Sequence, residues 1–167
     1  MAAAGGVSRV RSQSRLGLLG AGLLIAAVLS GCAASSGADA GFETLETTIS
    51  SWEGVQSAEV SGAYDGLPTS RSLSVDITLD DALSVDLEEY LDRTLQAAWS
   101  YDVYEPSSVF VSFVDGSVPV ADGYVPRTLD LTGPVDVLGL EDVAFGKEFL
   151  SVSSDEMVKH YGSWPAS

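Results

Sequence analysis

The chain is poor in the groups from which catalytic and covalent sites are usually built. Among its 167 residues there is one cysteine, Cys32, one histidine, His160, and no asparagine. A single cysteine excludes an internal disulfide, so the fold must rest on its core. Without asparagine there is no N-glycosylation acceptor. Every Ser-His or Cys-His relay would have to pass through His160, and no Gly-x-Ser-x-Gly or Ser-x-x-Lys motif surrounds a serine. A zinc site needs three or four His, Cys or acidic ligands, which one histidine does not begin to supply. The sequence therefore predicts no catalytic residue, no metal centre and no cofactor. Positive charge is scarce as well. Eight bases face 24 acids, and from Cys32 onward only Arg71, Arg93, Arg127, Lys147 and Lys159 remain, a net charge of −19 for that part. Such a surface repels phosphate backbones and anionic headgroups, which argues against nucleic acid and direct lipid binding.

What is present is an N-terminal pattern. Arg9, Arg11 and Arg15 precede an uncharged apolar run from Leu16 to Leu29, and no acid occurs before Asp39. The run is shorter than the roughly 20 apolar residues that span a bilayer. Its order of basic head, apolar middle and small residues is that of a secretory signal. The run ends in Leu29-Ser30-Gly31-Cys32, which resembles the lipobox of bacterial lipoproteins. That resemblance covers about the first fifth of the chain. It implies cleavage before Cys32, a diacylglyceryl group on its thiol, and an address on the outer face of a bacterial cell membrane. Two acyl chains at about 0.8 kcal/mol per buried CH₂ anchor a protein stably, whereas one is marginal. Residues 1–31 are thus expected to be a signal peptide. Residues 32–41, rich in Gly, Ser and Ala, are expected to be the acylated cysteine and a flexible tether with a reach of roughly 15–18 Å. Residues 42–167 are expected to form one acidic domain.

Within that domain, Phe42, Leu45, Ile49 and Trp52 recur at helical spacing and predict a helix over 42–53. Leu73, Val75, Ile77 and Leu79 alternate with Ser, Asp and Thr, the pattern of a strand with one buried face. Asp86 and Glu89 form a capping-box-like pair ahead of the stripe Leu87, Leu91, Leu95, Ala98 and Trp99. Ser108 to Val114 is β-branched and aromatic, a central strand by composition. Arg71 to Val75 and Arg127 to Leu131 each follow a helix, a strand, an Asp-Gly and a proline. This faint echo predicts two αββ units: an α+β fold with a four-stranded, antiparallel-rich sheet and helices on one face, as in a ferredoxin-like sandwich. The order of elements resembles that of BON domains of bacterial envelopes, although their glycine pattern does not align. Lys147 to Val152 reads as a further strand, and Ser153 with Glu156 as a capping box for a last short helix ending at Gly162.

Three candidate sites remain. Asp80, Asp81 and Asp86, with Glu88 and Glu89, form the densest acidic group; acids are what a helix N-terminus prefers, which is the favoured reading, with a weak cation-binding loop as the alternative. Trp99, Tyr101, Tyr104 and Phe110 are either core or a recognition patch. Arg71 and Arg127 are expected to pair with nearby acids. The functional expectation is a non-catalytic, lipid-anchored domain contacting an envelope protein or polymer. The alternatives are a cation- or small-ligand-binding module and, less favoured, a carboxylate-based hydrolase.

Overall fold

The computed structural model describes residues 37–66, 70–118 and 128–166. In chain order the elements are α1 (Gly37–Ser50), β1 (Val55–Tyr64), β2 (Arg71–Leu79), α2 (Leu87–Trp99), β3 (Ser108–Asp115), α3 (Thr132–Leu138), β4 (Val143–Phe145), β5 (Leu150–Ser153) and α4 (Ser154–Tyr161). The strands form one α+β sheet in the order β1-β2-β3-β5-β4. Only the β2–β3 pairing is parallel, with α2 as its crossover; the other three are antiparallel.

Alternation along the strands builds the core. Register aligns Val60, Val75, Val111 and Leu150 in one row across four strands, and all four are buried. Ile49 of α1, Leu91, Leu95, Ala98 and Trp99 of α2, and Met157 of α4 join them in a single apolar cluster. The next row, Ser61, Ser74, Phe110 and Ser151, belongs to the other face. On that polar face Ser112 Oγ donates to Asp76 Oδ1 across the parallel pair. Helix α2 starts where Asp86 accepts the N–H groups of Glu88 and Glu89, and Arg93 meets Glu89 at 3.7 Å, one turn apart. Trp99 Nε1 donates to Gly162 O and Trp164 Nε1 to Tyr101 O, pinning the C-terminal segment against α2.

Three expectations need correction. The sheet has five strands, not four, because the C-terminal β4–β5 hairpin completes it beside β3. The second αββ unit is not formed: within 127–131, Arg127 lies outside the described residues and Thr128 makes a single antiparallel bridge to Val114. The reason is local. Asp130 Oδ1 accepts both the N–H and the hydroxyl of Thr132, an Asx turn that redirects the chain into α3 before a strand can extend. Finally, α1 begins at Gly37, inside the expected tether. Ala38 and Ala40 favour helix, and Gly41 lies so close to Tyr101 and Val103 that a Cβ would stand 2.7 Å from each side chain.

Candidate binding recess

The clearest site is at the β1–β2 hairpin end of the sheet. Antiparallel register places Arg71 opposite Tyr64. The guanidinium carbon of Arg71 lies 4.6 Å from the centre of the Tyr64 ring and 4.4 Å from that of Tyr104. The cation is thereby within cation–π distance of two aromatic rings. Among the described residues no carboxylate lies within ion-pair distance of Arg71, contrary to the expected pairing. A guanidinium held against aromatic rings still carries the N–H fork that suits bidentate recognition of an oxyanion.

Besides Arg71, two groups fix Tyr104. Its hydroxyl donates to Ser72 O at 2.9 Å, and the edge-on Tyr101 ring packs at 5.2 Å. Tyr101 in turn stacks on Phe42 at 5.5 Å. Burial pushes the Tyr104 hydroxyl up from its ordinary value, with Arg71 opposing the shift and Asp65 adding to it. It is therefore a neutral donor. The hydroxyl of Ser107 donates to Asp65 Oδ2 at 2.5 Å and to Arg71 O at 3.0 Å, and the Ser107 N–H reaches the same carbonyl at 2.8 Å. Ser154, the first residue of α4, is tied in through its N–H to Ser107 O. Together Arg71, Tyr104, Glu105, Pro106, Ser107 and Ser154 line an open recess of about 390 Å³. A second cleft of about 280 Å³ lies at the β3 edge between Asp130–Thr132 and Phe145–Leu150.

The other candidates have structural work. Asp86 Oδ1 caps α2, Asp81 Oδ1 accepts the N–H of Leu83 at 2.9 Å, and the Asp80 N–H bonds Gly54 O. Among the described residues no group of three or more His, Cys, Asp or Glu side chains is arranged to hold a metal ion. Trp99 and Tyr101 are core, Tyr104 lines the recess, and Phe110 packs edge-on against Phe149 at 5.1 Å. His160 Nε2 is 2.8 Å from Glu156 Oε1. Glu156, expected only to complete a capping box, instead reaches away from α4 to accept the N–H groups of Glu141 and Asp142. Cys32 and its preceding motif lie outside the described residues. No helix among the described residues is long and apolar enough to cross a membrane.

Sequence reading missed the Arg71 sandwich because it depends on hairpin register. The available signal was an isolated arginine seven residues after a tyrosine, with an Asp-Gly turn between them. Comparison with protein-family models and with curated proteins finds no match.

Proposed function

We propose that this chain is a lipoprotein anchored through Cys32 to the outer face of a bacterial cell membrane, and that its domain is a non-catalytic binding module acting through the Arg71 recess. The observation that carries the binding half is the Arg71 guanidinium, close to the rings of both Tyr64 and Tyr104 and with no carboxylate partner among the described residues of a strongly acidic chain. Side-chain ordering is a cost of binding, and the two rings have already met it here. The anchoring half is supported by Leu29-Ser30-Gly31-Cys32 at the end of its apolar run. The partner class is an envelope protein or polymer; the size of the recess, about 390 Å³, favours the alternative of a small ligand at this same site.

The test has two arms, both on the full chain expressed in a bacterium. Mass spectrometry of the membrane fraction should find an N-terminal diacylated Cys32, and Cys32→Ser should move the protein out of that fraction. An intact N-terminal segment, or an unmodified cysteine in membranes, overturns the anchor. Photo-crosslinking from a probe at position 70, which lines the recess, should capture an envelope component with Arg71 in place and lose it in Arg71→Glu. Capture indifferent to Arg71 overturns the recess as the binding site.

A further inference from the structure

We infer that the Arg71 recess receives a small zwitterion, a free α-amino acid, with Arg71 on its carboxylate and Glu105 on its ammonium group; this rests on reading the recess as the binding site. Arg71 and Glu105 line the same hollow. Neither is engaged by an ion pair among the described residues. A cation and an anion, neither ion-paired among the described residues, thus line one concavity, which suits a molecule bearing both charges. Ser107 and Ser154 line the same wall.

Long-range electrostatics narrow the ligand class. A part of the chain with a net charge of −19 repels a simple anion before it reaches Arg71. A simple cation is drawn to the surface in general and gains nothing from Arg71. A zwitterion carries no net charge, so it escapes the repulsion and still satisfies both groups at contact. The volume, about 390 Å³, lies in the lower part of the roughly 300–1,000 Å³ range of small-molecule sites. A guanidinium fork favours a bidentate carboxylate over a point charge.

Isothermal titration of the full chain in mild detergent tests this with L-alanine, L-leucine and L-glutamate. Two analogues that each lack one charge, N-acetyl-L-alanine and L-alaninamide, complete the set. At least one free amino acid should give saturable heat, and the alanine analogues should bind about tenfold or more weakly than L-alanine, as losing one charged hydrogen-bonded contact implies. Arg71→Ala should abolish binding with an unchanged far-ultraviolet circular dichroism spectrum. Glu105→Gln, an exposed change that does not threaten the fold, should weaken L-alanine to the level of N-acetyl-L-alanine and leave the latter unaffected. Equal binding of L-alanine and N-acetyl-L-alanine, or indifference to Glu105→Gln, overturns the zwitterion in favour of a plain carboxylate. Absence of heat with every amino acid, while crosslinking still depends on Arg71, overturns this inference alone and leaves the binding module standing. If crosslinking is indifferent to Arg71 as well, both readings fall.

Discussion

The Glu156 carboxylate, only 4% exposed, lies 2.8 Å from His160 Nε2 and ties the last helix to the loop before β4. Its two oxygens accept the N–H groups of Glu141 at 3.0 Å and Asp142 at 3.3 Å, and Lys159 adds a contact at 3.4 Å. The only histidine in the chain is thereby committed to holding a buried acid. Sequence reasoning treated His160 and Glu156 separately, because their shared role depends on a loop 14 to 15 residues away.

That arrangement predicts an acid-labile corner. Burial alone would raise the Glu156 carboxyl, but the two backbone N–H groups, Lys159 and His160 outweigh it and hold the group below its ordinary 4.5. A folded value below the unfolded one means that the ionised carboxylate contributes stability in full above about pH 4.5. The contribution is lost as pH falls through the lower folded value. Urea unfolding across that range should show stability declining with acid. In Glu156→Gln the decline should be shallower and stability at neutral pH lower by about 1–3 kcal/mol, the cost of weakening buried charged hydrogen bonds. Asp115 and Asp130, also lowered through bonds from Ser117 and Thr132, supply the slope that persists. An unchanged pH profile in Glu156→Gln would contradict this account.

Asp86 should behave as a cap. Its Oδ1 accepts the N–H of Glu88 at 3.0 Å and that of Glu89 at 3.4 Å. Asp86→Ala should cost about 1 kcal/mol, and Asp86→Asn, which keeps the acceptor, only a few tenths. Urea midpoints of the two variants check this; equal losses would mean that the charge, not the cap, is what position 86 contributes.

Helix α1 protects an edge. Glu46 Oε1 accepts the Val60 N–H at 2.8 Å and Ser50 Oγ the Ala58 N–H at 3.2 Å. Side chains of α1 thus satisfy outward N–H groups of β1, which among the described residues has no strand beyond it in the sheet order. An exposed edge of this kind templates pairing with other chains. Glu46→Ala should cost about 1–2 kcal/mol and raise the concentration-dependent scattering of a heated sample. Stability loss without added scattering would show that the edge stays covered.

Elements governed by periodicity were legible in the sequence. Strand β2 and helix α2 follow from Leu73, Val75, Ile77 and Leu79 and from the Asp86 cap, because alternation and capping act over a few residues. The partner of β3 was not legible. Ser108 to Val114 reads as a central strand, yet nothing local says that its neighbours are β2 in parallel and β5 from the C-terminus. The Arg127–Leu131 echo of Arg71–Val75 misled for a related reason: the Asp130–Thr132 turn outweighs the apolar spacing of Leu129 and Leu131. Of the recess, only the residue types were visible. Its geometry requires Tyr64 opposite Arg71 and a tyrosine 33 residues further along folded over the same cation.

The tightest constraint on that geometry is a missing side chain. At Gly62 a Cβ would collide with Tyr104 Oη and stand 2.8 Å from Phe42 Cζ, whereas at Gly66 nothing lies within 4 Å. The two glycines sit in the same hairpin for different reasons. Gly62 makes room for Tyr104, and Gly66, with φ of 80°, supplies a left-handed turn. Gly62→Ala should therefore cost about 1–3 kcal/mol through overpacking and displace Tyr104 from Arg71. Gly66→Ala should cost about 1–2 kcal/mol through backbone strain while leaving the sandwich in place. Near-ultraviolet circular dichroism separates the two, because the tyrosine signal should change in Gly62→Ala and persist in Gly66→Ala. Crosslinking from position 70 should follow the same division. If both variants lose capture equally, the hairpin as a whole, and not the seat of Tyr104, determines whether Arg71 is available.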